Sequence, residues 1–146
     1  MIHNEFVTVI DRPLAEVFAY VADFSTLPSY DAWVVSAQRT SDGPIGVGST
    51  WTHDRVQGRR KMTAPIRVTE YVPDERISMV SGSKGFDVSS TMTFAAEGDS
   101  TRFSEVLEMR LSGFVKLFEP LIRKQVPGQG TAVHEKLKSV LEAQRP

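Results

Sequence analysis

The feature that most constrains this chain is its C-terminal tract, Gly113–Arg145, the one long segment with helical rather than strand periodicity. Phe114, Leu117, Phe118, Leu121 and Ile122 recur at helical spacing, and Val133, Leu137, Val140 and Leu141 resume it. Steps of three and four from Phe118 through Ile122 and Gln129 to Val133 stay on one face, so the apolar stripe keeps its phase across Pro127–Gly130. A helix of that length needs a broad apolar surface to lie on. The strand-like middle of the chain is the only candidate. Either the helix is a plain core element on a sheet, or it closes the mouth of a curved sheet with a cavity between them.

The rest of the chain supplies such a sheet. Ile2–Ile10 alternates, with Phe6, Thr8 and Ile10 on one side, and reads as a first strand. Asp11-Arg12-Pro13 then starts a short helix, with Asp11 placed to accept from first-turn N–H groups and Pro13 suited to a helix start. Leu14, Val17, Phe18 and Val21 give that helix an apolar face, it ends near Asp23, and Leu27–Tyr30 forms a second turn or very short helix. Strand patterns follow at Val34–Thr40, Thr50–Gln57, Lys61–Tyr71, Arg76–Ser81, Asp87–Ala95 and Thr101–Leu111, joined by the short connections of an antiparallel meander. Pro65, inside the third of these, implies an edge or a bulge. The order is strand, two small helices, six strands, long helix. That predicts an α+β fold: a curved seven-stranded antiparallel sheet wrapped around a long C-terminal helix, with two short helices between strands 1 and 2.

Composition removes several function classes. At 146 residues the chain is read as one domain, 1–146, able to bury a core without staples. A net charge of −1, with the basic run Arg59-Arg60-Lys61 read as a solvated hairpin turn, argues against nucleic acid and anionic membrane as partners. No cysteine is present, which excludes disulfides, thiolate catalysis and cysteine-based metal sites. No segment approaches the roughly 20 apolar residues of a membrane span, and Met1–Glu5 lacks the pattern of a signal peptide, so a cytoplasmic location is expected. His3 and His134 fall outside any metal spacing; no metal and no cofactor are expected. Gly46-Val47-Gly48 lacks the strand-to-helix setting of a phosphate loop, and no nucleophile-elbow motif exists.

Strand alternation sorts the faces and exposes polar residues on the apolar side. Glu105 falls on the face of Phe103, Leu107, Met109 and Leu111; His53 and Arg55 fall on that of Trp51; Ser90 falls on that of Met92 and Phe94. A carboxylate among apolar side chains must protonate, pair or meet water in a cavity. His53 and Arg55 are the partners expected for Glu105, and His53 could act as acid or base on a carbonyl substrate. The competing readings are a bulge that turns Glu105 outward, an Arg55 that snorkels to the rim, and a His53 satisfied within the wall.

The arrangement resembles the START-like superfamily (SRPBCC), in particular its polyketide cyclase/dehydrase branch of bacterial proteins. The resemblance covers nearly the whole chain. It rests on Ile10-Asp11-Arg12-Pro13 followed by Glu16-Val17-Phe18, on Leu27-Pro28-Ser29-Tyr30-Asp31, on Gly46-Val47-Gly48-Ser49, on Val68-Thr69-Glu70-Tyr71 with Pro73, and on Thr101-Arg102-Phe103-Ser104. These are turn, cap and packing residues, which speak to fold rather than activity. The resemblance implies a helix-grip fold with a cavity for hydrophobic ligands, and roles in lipid or polyketide binding, aromatase/cyclase chemistry or ligand-responsive partner binding. Two departures stand out: Tyr30 takes a place usually held by tryptophan, and Val126–Gly130 should kink or split the last helix, either as the hinge of a lid or as a passive kink.

The expected function is binding of a small hydrophobic or amphipathic ligand, with a polyketide cyclase, aromatase or dehydratase using the same cavity as the alternative. A third possibility is a collapsed cavity and a protein that works through a partner surface. The expected apolar contacts are Trp51, Met62, Met92, Phe94, Leu107, Phe114 and Phe118, and the polar ones Tyr30, His53, Arg55, Ser90 and Glu105. His53 and Glu105 are the catalytic candidates. A monomer or homodimer is expected.

Overall fold

The computed structural model describes residues 1–144, with the side chain of Gln57 outside the description; the last two positions of the predicted domain, including Arg145 of the helical tract, fall beyond it. Seven strands form one antiparallel sheet: β1 (Ile2–Ile10), β2 (Val34–Arg39), β3 (Thr50–Gln57), β4 (Arg60–Val72), β5 (Arg76–Ser83), β6 (Phe86–Glu97) and β7 (Ser100–Leu111). Their spatial order is β1-β7-β6-β5-β4-β3-β2. From β2 onward every strand pairs with its sequence neighbour, as short connections require, while β1 adds to the far edge beside β7. The chain must therefore cross the width of the sheet between β1 and β2. Helix α1 (Leu14–Ala22) and a short 3-10 helix (Phe24–Ser29) make that crossing, and α1 buries Val17, Phe18, Val21 and Ala22.

Alternation holds along the strands. On β4, Ala64, Ile66 and Val68 are buried while their neighbours Thr63, Pro65 and Arg67 are exposed. On β3 the inward residues are Trp51 and His53. Asp54 lies on the other face, where Thr63 donates to it at 2.6 Å and Ser36 at 3.0 Å. Those two hydrogen bonds hold its carboxyl below the usual range. Pro65 stands opposite Thr52 of β3, but the pairing of β4 with β5 begins only at Ile66–Ser81. Its missing donor thus falls where β4 is locally an edge, inside a strand that is otherwise interior. The start of α1 differs from expectation: its cap position is Pro13, without a side-chain bond, and Asp11 accepts from Ser100 Oγ at 3.1 Å.

The C-terminal tract departs from the predicted helix in two ways. A 3-10 helix occupies Gly113–Phe118, and the α-helix, α2, runs from Glu119 to Ala143. Because 3-10 and α geometries rotate side chains differently per residue, the stripe loses phase at this junction. Phe114 and Leu117 are 74% and 73% exposed, and Phe118 and Leu121 are exposed as well. The second departure is continuity: α2 passes through Val126–Gly130 as one helix rather than two. Thr131 Oγ1 donates to the Pro127 carbonyl at 2.9 Å within this stretch. Gly130 is there for a packing reason. A Cβ at that position would lie 2.1 Å from Phe6 Cζ, so the Phe6 ring of β1 rests directly on the helix backbone. Gly85 serves the same purpose in the β5–β6 hairpin: φ is +88° and a Cβ would meet Val115 Cγ2 at 2.6 Å.

The core fills one side of the sheet. Ile10, Trp51, Ile66, Val68, Ile77, Phe94 and Phe103 from the strands meet Val17, Phe18 and Val21 of α1 and Leu137 and Leu141 of α2. Phe18 meets Phe94 edge-on at 5.0 Å, and Phe94 stacks on Phe103 at 5.1 Å. The second half of α2 is therefore anchored in core. Its first half lies over a space that the core does not fill.

Candidate functional site

That space is a cavity of about 260 Å³ between the curved sheet and α2. Phe6, Met62, Met79, Val88, Met92, Phe103, Leu107 and Met109 furnish its sheet side, and Ile122, Val126, Gln129, Val133 and Leu137 its helix side. Four of the chain's five methionines stand on this wall. Thioether side chains adapt their shape and make favourable contacts with ring edges, which suits a pocket for flat apolar molecules. Two polar clusters interrupt the apolar surface, and they differ in kind.

The first joins α2 to the sheet. Glu105 on β7 accepts from Ser90 Oγ on β6 at 2.6 Å and sits 2.8 Å from His134 Nε2 on α2. His134 Nδ1 is 2.9 Å from Thr8 Oγ1 on β1. With the carboxylate as acceptor, Nε2 supplies the proton, and the Thr8 hydroxyl completes Nδ1. The ring also stacks on Phe103, 4.9 Å between centroids and 13° between planes, and Phe6 approaches it from another side at 5.2 Å. Both ring nitrogens and both carboxylate oxygens are thus taken. The side chains are largely buried, 4% exposed for His134 and 19% for Glu105.

The second cluster lies where β3 meets the segment between the first 3-10 helix and β2. Arg55 donates from Nη1 and Nη2 to the same oxygen of Asp31, Oδ2, at 3.1 and 3.2 Å, while Asp31 Oδ1 accepts from the Trp33 backbone at 3.0 Å. Asp31 is largely buried, so the Arg55 guanidinium compensates a carboxylate that has little contact with water. Tyr30, also buried on this wall, has its phenol pushed far up by loss of solvent and remains an O–H. His53 completes the group. It is only 7% exposed, yet its Nδ1 is sealed in without a hydrogen-bond partner. Burial, reinforced by the Arg55 charge, lowers its pKa below the ordinary histidine value, so the imidazole is neutral around pH 7. A hydrogen-bond contribution from the Ala64 backbone opposes that shift without reversing it, although Nδ1 has no partner of normal geometry.

Eight of the twelve expected contact residues stand on the cavity wall: Tyr30, His53, Arg55, Met62, Ser90, Met92, Glu105 and Leu107. Four do not. Trp51 is wholly buried below the wall, edge-on to Phe24 and donating to Ser25 Oγ at 3.1 Å. Phe94 is held between Phe18 and Phe103 in the core. Phe114 and Phe118 contact each other on the outside of the molecule, because the 3-10 turn rotates them away. The partner expected for Glu105 is also corrected: it is His134, not His53 or Arg55.

His134 and Asp31 are the residues the sequence reading did not place in the site. The sequence signal for His134 is its place three residues before Leu137 and seven before Leu141 on the apolar stripe, where a polar ring needs a polar partner. Among the described residues no three His, Cys, Asp or Glu side chains gather as a metal would need. No helix among them is long and apolar enough to cross a membrane.

Comparison with known proteins gives the same architecture. A family model described as "Polyketide cyclase / dehydrase and lipid transport" matches residues 1–142. TTHA0849 from Thermus thermophilus is similar in structure, with a TM-score of 0.81 and 21% identity over 98% of this chain and 99% of that one. A START superfamily protein from Mycobacterium smegmatis gives 0.80 with 14% identity, covering 98% and 99%. BexL, a di-domain ARO/CYC protein from the BE-7585A biosynthetic pathway, gives 0.77 with 18% identity over 97% of this chain and 47% of its own length. No curated protein sequence matches the chain.

Proposed function

The chain belongs to the polyketide cyclase / dehydrase and lipid transport family, and from that premise we propose that it binds a small hydrophobic or amphipathic molecule in the cavity between sheet and C-terminal helix. The observation that carries this reading is an apolar cavity of about 260 Å³ with polar groups confined to two clusters on its wall. Burying apolar ligand surface contributes roughly 25 cal/mol per Å², and a few polar contacts orient the ligand. Met62, Met92 and Leu107 supply the apolar contacts, and His53, Arg55 and Tyr30 receive the ligand's polar end. Ser90 and Glu105 are bonded to each other at the opposite cluster and chiefly shape the wall.

A cyclase or dehydratase reading of the same cavity draws on one observation, a His53 imidazole on the cavity wall that burial keeps neutral near pH 7. A neutral base suits proton transfer, whereas Glu105 is already engaged twice. Native mass spectrometry of the purified protein, with solvent extraction of anything bound, tests the binding reading. A co-purifying hydrophobic or aromatic compound is the expected result. An empty protein mass, with no thermal shift on fatty acids, flavonoids or polyketide mimics, contradicts it.

A further inference from the structure

We propose that the turn leading into α2 docks on the surface of an anionic lipid bilayer, with Phe114, Leu117, Phe118 and Leu121 entering the headgroup boundary and neighbouring lysines meeting the lipid charges. The proposal goes beyond the cavity reading and does not depend on what the cavity holds.

The apolar side chains come first. All four are exposed, and they fall within eight consecutive residues. Apart from Met1, the other exposed large apolar residues are single valines. Phe114 and Phe118 meet edge-on, 5.6 Å between ring centroids. The turn that carries them is pinned rather than frayed. Ser112 N–H donates to the Gly85 carbonyl at 3.0 Å, and Val115 packs so close to Gly85 that a Cβ there would meet its Cγ2 at 2.6 Å. Residues three apart eclipse in a 3-10 helix, so with Val115 turned inward Phe114 and Leu117 share an outer row. Leu121 lies four residues after Leu117, and Lys124 three after Leu121, so the row continues onto α2. Together the four side chains hold on the order of 400 Å² of apolar surface in water, at about 200 Å² for a whole aromatic side chain. A contiguous apolar surface of that size marks an interaction site.

Charge selects the partner. Lys84 precedes the glycine that holds the turn, Lys116 lies within the turn, and Lys124 ends the row. All three are exposed, and none makes an ion pair among the described residues. The local carboxylates have cationic neighbours of their own: Arg123 engages Glu119 at 3.2 Å, and Asp87 stands opposite Arg110. Positions 110–124 thus hold four basic residues and one acidic one, an excess that the whole-chain charge of −1 conceals. Phenylalanine and leucine flanked by lysines, whose long stems keep the ammonium at headgroup level, are the pattern of a segment lying in the interface of an anionic bilayer. No helix among the described residues is long and apolar enough to span it, so the contact is with the surface. A second copy of the chain fits less well. Two-fold contact would set the lysine-flanked patch against itself, and its area is about half of the roughly 800 Å² per partner of a standard interface.

The test is flotation of the full chain with vesicles of phosphatidylcholine alone and of phosphatidylcholine with about one-third phosphatidylserine. Wild type should float with the phosphatidylserine vesicles at about 50 mM salt, bind phosphatidylcholine alone at least about tenfold more weakly, and release as salt rises to about 500 mM. Phe114→Ser/Leu117→Ser should weaken binding at least about tenfold. Lys116→Gln/Lys124→Gln should weaken it about twentyfold, at roughly fivefold per charge. Val35→Ser/Val47→Ser, exposed valines on and beside β2, should change nothing. In Phe114→Trp the added indole should shift its emission to the blue on the anionic vesicles. Absence of flotation with phosphatidylserine overturns the proposal, as does flotation that survives Phe114→Ser/Leu117→Ser. A dimer in sedimentation that Phe114→Ser/Leu117→Ser abolishes, without vesicle binding, overturns it in favour of a second copy. A monomer that ignores both vesicles overturns it and leaves the patch to a protein partner. None of these results bears on the cavity.

Discussion

The two polar clusters on the cavity wall use the same residue types, a histidine and a carboxylate, to opposite ends. Around His134 every polar atom is matched: Thr8 and Glu105 take the two ring nitrogens, and Ser90 takes the remaining carboxylate oxygen. Around His53 the Arg55–Asp31 pair is closed on itself and the imidazole is left over. Side chains of three elements meet at His134, namely β1, β7 and α2, whereas His53 stands between Ala37 of β2 and Ala64 of β4, neither of which has a polar side chain to offer. A satisfied buried network holds pieces of a protein together, and an unsatisfied one costs stability until something arrives to complete it. The comparison assigns cohesion to the first cluster, and under the proposed binding function it leaves recognition to the second.

Removing the two histidines should therefore give unlike results. His134→Leu strands Glu105 and Thr8, and breaking a buried pair from one side is the expensive route. We expect a loss of about 3 kcal/mol, read as a lower urea midpoint at unchanged slope. A loss within about 0.5 kcal/mol, the range of an ordinary surface substitution, would erase the distinction between the clusters.

Next in size is a contrast within α2. Gly130 lies one turn before His134, and a Cβ there collides with Phe6, which packs on the His134 ring. Gly130→Ala should cost about 1 kcal/mol, as overpacking outweighs the gain in helix propensity. Gly128 has open space around its Cβ direction, so Gly128→Ala should stabilise by up to about 1 kcal/mol. Equal effects from the two would remove Phe6 from the account.

How much of this was legible in the sequence depended on whether a residue's fate was settled along a strand or between elements. The order of elements, the strand faces and the presence of Glu105, His53 and Arg55 on the inner side all follow from period-two alternation. Partnership does not. Glu105 and His134 are 29 positions apart, and Thr8 and His134 126 apart, on different elements, so alternation alone could not join them. Phe114 and Phe118 were misplaced for a local reason: their spacing fits a helix, but the turn that holds them is 3-10, and the α-helical phase starts only at Glu119. Trp51 and Phe94 have the right face but sit too deep, a distinction that alternation does not carry.

The pH dependence of stability offers a smaller test of the second cluster. His53 is held below the ordinary histidine pKa by burial and by Arg55, with the Ala64 backbone, Asp31 and Asp54 pulling the other way more weakly. Above about pH 6.5 the ring is neutral folded and unfolded alike and contributes no pH dependence. As pH falls through about 6.5 the unfolded chain takes up a proton that the folded chain resists, so stability declines toward acid. At pH 7.5 we expect His53→Leu to lie within about 0.5 kcal/mol of wild type or above it, since no well-formed hydrogen bond is lost. Between pH 7 and 5.5 the variant should show a shallower decline, measured by thermal melts across that range; parallel curves would mean that His53 is solvated. Smallest of all, Phe114→Ser and Leu117→Ser should change stability by less than about 0.5 kcal/mol, because these side chains face outward.

The most direct measurement is long-range ¹H–¹⁵N NMR of the imidazole nitrogens in a titration with 2-naphthol as an aromatic probe of the cavity. The division of labour predicts that the His53 ring resonances move with ligand while both His134 nitrogens stay in place. Movement of His134 with His53 unchanged would contradict it, and would make the closed cluster the recognition site.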